Sequence, residues 1–256
     1  MRFARFRVGG KIAYGVVADG MVEEISSTPF LQYDLTGTRY ALDDVRLLSP
    51  CLASKVVAVA RNYRDHAAEM GKPLPKVPEF FFKPSTAVIG PADAIFWPPG
   101  CRRLDYEGEL AVVIGAVARS VRPDSWREVV LGLTCGIDAT ARDLQEIDGQ
   151  WGRAKGFDTS APLGPWIDTD ADPSDLRLVT RVNGEVKQDS TTAQLVFGVP
   201  ELVSFITSYV TLLPGDVIMT GTPSGIGPLS PGDRVQVEID GIGALTVAVR
   251  GTPPPD

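Results

Sequence analysis

Two glutamates one residue apart, Glu107 and Glu109, enter an unbroken apolar run, Leu110-Ala111-Val112-Val113-Ile114, that stops at Gly115. The run is short, rich in β-branched residues and bounded by glycine, which predicts a buried strand rather than a helix. Side chains two apart on a strand point to one face, so Glu107 and Glu109 project side by side, with Gly108 leaving the opposite face free. Two carboxylates that close repel, and burying them unpaired is costly. A divalent cation removes both difficulties, and oxygen donors suit magnesium, manganese or calcium. The alternative is an edge strand with a solvated acidic face.

Composition narrows what such a strand can serve. The chain has 256 residues, enough for one large domain or a main domain with a small attachment. Its net charge of −7 argues against nucleic acid as a partner, because phosphate binding needs a basic surface. Cys51, Cys101 and Cys135 are isolated and lack metal-ligand spacing, which fits inert thiols in a reducing compartment. No apolar stretch is long enough for a membrane span, and Met1 to Arg7 lacks a following signal-like core. A cytoplasmic protein with no membrane partner is the expectation.

Residues 1–50 read as a small β-rich N-terminal subdomain: a hairpin of Phe3 to Val8 and Lys11 to Val17 around Gly9-Gly10, then Met21 to Ile25. Residues 51–256 form the main domain. Lys55 to Ala60 is a short strand, followed by a polar turn, Arg61 to Gly71, that carries the chain's one histidine. His66 and Glu69, three apart, share one face of a helical turn, where the carboxylate can orient the imidazole as a base and the turn can act as a lid.

Glu79 to Pro84 follows as a strand, its three phenylalanines read as core and wall and Lys83 as exposed. Leu131 to Ile137 is a strand ending at Asp138, either a third carboxylate of a metal site or the N-cap of a helix over Ala139 to Gln145. On that helix Arg142 and Gln145 can meet a substrate carboxylate. Trp151 to Asp158 reads as a flexible loop leading to Pro162 and Gly164-Pro165, able to aim Lys155 at a ligand.

Further on, Arg177 to Val182 and Glu185 to Asp189 flank an Asn183-Gly184 turn. Val199 to Leu212 is amphipathic, with Leu202, Val203, Phe205, Ile206 and Tyr209 on one face. After the strand Val217 to Met219, the loop Thr220 to Gly227 offers N–H groups and hydroxyls to an anion, though it lacks the Gly-Lys-Ser/Thr of a phosphoryl-transfer loop. A last hairpin pairs Arg234 to Ile239 with Ala244 to Val249, before a frayed Pro253-Pro254-Pro255 terminus.

Taken in order, Arg61-Asn62-Tyr63 with His66 and Glu69, Asp105 to Leu110, Asp138 with Ala141 to Gln145, Lys155 to Asp158, and Thr220 to Gly225 resemble the fumarylacetoacetate hydrolase family over roughly residues 55 to 250. The branch is that of acylpyruvate hydrolases, hydroxyheptadienedioate isomerases and oxaloacetate decarboxylases. The resemblance implies an α+β, predominantly β fold, a mixed-sheet roll with few helices, and a homodimer holding Mg2+ or Mn2+ in each subunit. It further implies Glu107, Glu109 and Asp138 as metal ligands, His66 and Glu69 as the lid dyad, Lys155 as a cation beside the metal, and Arg142, Gln145 and Thr222 as substrate-binding positions. Ile137 departs from the pattern, standing where many members carry asparagine.

The expected substrate is a small 2-oxo or 2,4-dioxo acid, processed through a metal-stabilised enolate. The retained His66–Glu69 pair points to C–C bond hydrolysis of an acylpyruvate-type substrate, making the chain a hydrolase. Isomerisation of a 2-hydroxyhepta-2,4-diene-1,7-dioate in aromatic catabolism, or decarboxylation of oxaloacetate (a lyase reaction), remain as alternatives. A metal- or carboxylate-binding protein without catalysis is the reading from another class.

Overall fold

The computed structural model describes residues 1–254 apart from Met70 and Lys72. Met70 of the polar turn and Pro255 of the proline-rich terminus therefore lie outside the described residues.

The apolar run forms the strand Gly108–Ile114, with every residue buried. It lies inside a twelve-stranded mixed sheet, hydrogen-bonded to Val130–Ile137 on one side and Val217–Met219 on the other, so it is not an edge. Period-two alternation divides its side chains between two cores. Leu110, Val112 and Ile114 enter the larger one, with Leu178, Val237 and Leu245 of a facing five-stranded sheet. Ala111 and Val113 enter the other, with Val56, Ala58 and Met219. Because both faces are covered, the run is continuously apolar.

Gly108 shares the face of Leu110, and that face is filled rather than free. A Cβ at position 108 would lie 2.0 Å from Thr180 Oγ1, so glycine is required where the five-stranded sheet presses against this strand.

Along the large sheet the strand order is Leu35–Ala41, Met21–Ile25, Lys11–Ala18, Arg2–Val8, Ala161–Asp168, Val130–Ile137, Gly108–Ile114, Val217–Met219, Lys55–Ala60 and Glu79–Pro84. The N-terminal strands thus join the same hydrogen-bonded sheet, through Arg2 and Phe3 opposite Asp168 and Ile167. Phe6, Val17 and Val22 form their own small core.

Beyond the loop expected over Trp151 to Asp158, Ala161–Asp168 is an internal strand despite Pro162, Gly164 and Pro165, and the sequence reading assigned it no strand. Its pairing with Val130–Ile137 jumps from Cys135↔Gly164 to Leu133↔Asp168, a bulge that absorbs a proline without a ladder donor.

Four short α-helices complete the described residues: α1 (Arg64–Glu69), α2 (Arg142–Ile147), α3 (Gly152–Lys155) and α4 (Val199–Tyr209). None is long and apolar enough to cross a membrane. α2 starts later than expected, since Thr140–Ala141 first pairs with Leu104–Tyr106; Ala141 is the N-cap, so Asp138 does not fill that role. α4 buries Leu202, Val203 and Ile206, whereas Phe205 is half-buried and Tyr209 lies on the surface with 68% exposure. All three thiols are buried and unpaired, and burial pushes each up to about 12.

Candidate active site

The three carboxylates read from the sequence converge. One oxygen from each of Glu107, Glu109 and Asp138 lies within 4.8 Å of the others, and all three residues are buried. Strand geometry explains the convergence. Glu107 links Leu104–Tyr106 to Gly108–Ile114, Glu109 follows on the same face, and Asp138 ends the neighbouring strand, where its N–H donates to the Glu107 carbonyl at 2.8 Å.

Cations crowd the same point. Lys155 Nζ donates to Glu107 Oε2 and Asp138 Oδ2, each at 2.8 Å. Lys155 is buried at the end of α3, not carried on a flexible loop, because Gly156 N–H closes the turn onto the Gly152 carbonyl. Arg142 donates from Nε to Asp105 Oδ2 at 2.9 Å, from Nη1 to Gln145 Oε1 and from Nη2 to Glu107 Oε1. Burial alone would raise the Glu107 carboxyl, but Lys155 and Arg142 outweigh it and hold it at about 2. Glu109 moves the other way. Burial, reinforced by Asp138 and Glu107, raises it well above the usual carboxylate range, although Gly221 N–H donates to its Oε2 at 2.7 Å.

Lys83 overturns the expectation of an exposed side chain. It has no exposed surface, donates to the Lys155 carbonyl and to Ser160 O and Oγ, and sits 2.6 Å from Asp138 Oδ1. The Lys83 ammonium and Asp138 Oδ1 thus form a fully buried ion pair. Burial lowers the Lys83 ammonium below its ordinary value against the pull of Asp138. Lys83 precedes a proline on an edge strand, and alternation turned it inward, to the face of Phe81 and against the α3 turn.

A buried, hard-oxygen triad, with one carboxylate raised by burial and by the other two, fits a divalent cation.

Above the triad, α1 brings His66 into the site. His66 is 6% exposed, and its Nδ1 pairs with Glu69 Oε2 at 3.0 Å. The helix is tied down by the Gly-rich loop: Ser224 Oγ donates to Asp65 Oδ2 at 2.8 Å and Gly225 N–H to Glu69 Oε1 at 3.0 Å. The loop does serve anions, but here they are the protein's own carboxylates. Gly221 has φ +98°, and a Cβ there would lie 2.8 Å from that of Asn62, so only glycine lets this loop and the segment leading into α1 approach.

Thr222 Oγ1 donates to the Gly108 carbonyl at 2.9 Å and accepts from Gln188 Nε2 at 2.8 Å. Its remaining polar capacity is that of an acceptor.

Residues to which the sequence reading gave no role fasten this arrangement. Asp105 anchors Arg142; Gln188 accepts from Gly108 N–H at 3.0 Å; Asn62 Nδ2 donates to the Phe197 and Thr220 carbonyls at 3.0 and 2.8 Å. Their signal was faint, since a polar residue on a strand or loop reads as surface until its partner is known.

One cavity of about 490 Å³ joins these groups, lined by His66, the triad, Arg142, Gln145, Lys155 and Thr222, with Arg61, Glu79, Phe81 and Trp151 extending its wall. Glu69 is not part of the lining and reaches the cavity only through His66.

Comparison with known proteins places the chain in a family. The fumarylacetoacetate (FAA) hydrolase C-terminal model matches residues 55–250, and a model described as Rv2993c-like, N-terminal, matches residues 1–50. The crystal structure of a 5-carboxymethyl-2-hydroxymuconate delta-isomerase from Mycobacterium smegmatis superposes with a TM-score of 0.92 at 47% identity, covering 98% of this chain and 99% of that one. An oxaloacetate tautomerase, mitochondrial FAHD2A of Bos taurus, is 43% identical over 215 residues, 79% of this chain and 68% of its own. A fumarylpyruvate hydrolase from Pseudomonas aeruginosa, in complex with Mn2+ and pyruvate, has a TM-score of 0.73 at 35% identity and covers 77% of this chain and 90% of that one. The chain therefore belongs to the fumarylacetoacetate hydrolase family, whose relatives named here are isomerase, tautomerase and hydrolase.

Proposed function

We propose that this chain is a magnesium- or manganese-dependent enzyme that moves a proton at the carbon next to the 2-oxo group of a small 2-oxo acid, in isomerase or tautomerase chemistry. The observation that carries this reading is one cavity holding both the acidic triad and a His66 whose Nδ1 is engaged by Glu69. The isomerase and tautomerase relatives, at 47% and 43% identity, support the same choice of reaction.

Glu107, Glu109 and Asp138 would hold the cation, which when bound would polarise the 2-oxo group and lower the cost of negative charge there. Glu69 receives the Nδ1–H of His66, leaving Nε2 as the acceptor that takes a substrate proton and returns it at the adjacent position. Lys155 places a positive charge beside the triad, where it stabilises negative charge developing on the substrate. Gln145, held by Arg142, and Thr222 orient the substrate from the cavity wall. The lid, fastened through Asp65 and Glu69, limits the access of water.

C–C hydrolysis of an acylpyruvate is the second reading, favoured by the same engaged imidazole, because Nε2 can equally take a proton from water. A magnesium-dependent panel of oxaloacetate tautomerisation, hydroxydienedioate isomerisation, and acetylpyruvate and fumarylpyruvate cleavage separates the two. The expected result is proton-transfer turnover that is lost in Glu107→Ala. In His66→Ala, kcat should fall by about 10²–10⁴-fold with magnesium affinity little changed. Cleavage without tautomerisation would replace the first reading by the second. Bound magnesium with silence across the panel would leave the non-catalytic binding role.

We also propose that the chain works as a homodimer. Phe80 stacks edge-on with Phe82 and with Phe205 of α4, and Phe82 (48% exposed) and Tyr209 leave an aromatic surface at the open Glu79–Pro84 edge.

A further inference from the structure

Three side chains with permanent positive charge line the cavity: Arg61, Arg142 and Lys155. Two are already spoken for. Arg142 uses all three of its nitrogens on Asp105, Gln145 and Glu107, and Lys155 is shared by Glu107 and Asp138. Arg61 differs. It reaches Glu79 through Nη2 alone, which lies 2.5 Å from both carboxylate oxygens, and its Nε and Nη1 have no hydrogen-bond partner among the described residues. The Glu79 side chain is 45% exposed, so this pair sits at the wet end of the cavity, whereas the triad is dry.

Sheet register fixes where that end lies. Ala111 pairs with Met219, and Met219 with Ala58. Ala60, two residues further along its strand from Ala58, pairs with Glu79. Arg61 therefore follows Ala60 at a lateral offset from Glu109 of two strand spacings, about 10 Å. Its backbone is left-handed, with φ +53°, a conformation that ends the strand and is uncommon outside glycine. The wall between is apolar and aromatic, with Val59 and with Phe81 packed edge-on against Trp151 at 5.4 Å.

We propose that Arg61 is the specificity-determining residue of this site, reading a second carboxylate at the far end of the substrate and so selecting short dicarboxylic over monocarboxylic 2-oxo acids. The inference rests on the 2-oxo acid reading above. The substrate's first carboxylate and its keto oxygen occupy the triad end, and the hydrocarbon between lies along Val59 and Phe81. The distal carboxylate meets the unused Nε and Nη1 edge of the guanidinium, a planar fork matched to two oxygens. Glu79 holds the guanidinium in place from its other side and, being anionic, competes with the ligand.

The test is calorimetric binding to the magnesium-loaded chain of two five-carbon probes, 2-oxoglutarate and 2-oxopentanoate, which differ by a distal carboxylate in place of a methyl group. Wild type should prefer 2-oxoglutarate by about 10- to 100-fold, the range for one charge-assisted pair. Arg61→Gln should erase that preference through loss of 2-oxoglutarate affinity, with 2-oxopentanoate and magnesium affinities changing far less. Arg61→Lys should restore part of it, and Glu79→Gln should tighten 2-oxoglutarate. Wild type without a preference, a preference that survives in Arg61→Gln, or an equal loss for both probes would each overturn the assignment to Arg61. If neither probe binds the magnesium-loaded wild type, the 2-oxo acid reading falls, and this inference with it.

Discussion

Lys83 and Glu109 show how far one buried side chain depends on the charges around it. Lys83 has no exposed surface and touches Asp138, the Lys155 carbonyl and Ser160, so it supports both a triad carboxylate and the turn that carries Lys155. Lys83→Met keeps the length and removes the charge. In the metal-free chain this should cost about 3–5 kcal/mol, the usual result of stranding the other member of a buried pair. Added magnesium should recover part of the loss by supplying positive charge to Asp138. Denaturant melts with and without magnesium check both halves, and a variant as stable as wild type without metal would refute the supporting role. The misreading of Lys83 has a simple cause. Lysines are mostly exposed, and only the three-dimensional position of the α3 turn supplies the carbonyls that hold this one.

At the scale of elements, two fasteners carry predictions. Asp216 sits in the turn before Val217–Met219, accepting from Ser54 N–H at 3.0 Å, Ser54 Oγ at 2.6 Å and Leu213 N–H at 2.8 Å, with Lys55 beside it. Burial alone would raise its carboxyl, but these donors outweigh it and hold it below the usual carboxylate range. The folded value is the lower one, so its stabilisation is full above the unfolded carboxylate range and disappears as pH falls through the folded value. Asp216→Asn should cost about 1–3 kcal/mol at neutral pH and progressively less in acid, as read from urea midpoints along a pH series. The docking of α1 offers the second case. Ser224→Ala removes one of the two side-chain ties that dock α1 and should cost only about 1 kcal/mol. Hydrogen exchange across residues 64–69 should nevertheless rise clearly, because α1 is short and has few other anchors. The strands with clean patterns, Met21–Ile25, Lys55–Ala60 and Val217–Met219 among them, have the bounds their sequences indicate. Ala161–Asp168 was hidden because its prolines mark a break locally, and the bulge that accommodates them exists only once Val130–Ile137 lies alongside.

For the molecule as a whole, the triad makes stability a function of metal. Three buried carboxylates within 4.8 Å raise the free energy of the empty site, and a cation that binds only the folded chain adds stability by mass action. Magnesium at 100 times its dissociation constant should add about 2.7 kcal/mol, raising Tm by about 5–10 °C for a chain of this size. Glu109→Gln should abolish most of that rise, since it removes one ligand charge; scanning calorimetry with magnesium and with chelator decides it. Sedimentation velocity should find dimers, and a monomer at micromolar concentration would contradict the proposed assembly.

The sequence by itself determined most of the strands, among them the one that carries Glu107 and Glu109, because periodicity and the spacing of two neighbouring carboxylates are local properties that survive without a tertiary context. Asp138, distant in the chain and locally open to an N-cap role, joined them only through the family resemblance. The sequence also contained the His66–Glu69 turn, whose three-residue spacing is local in the same way. Tertiary structure alone decided that Gly108 faces a second sheet, that Lys83 is buried and that Arg61 stands two strands from Glu109. Each of these depends on register between segments distant in the chain, and register is set by the packing of whole sheets, not by any short stretch of residues.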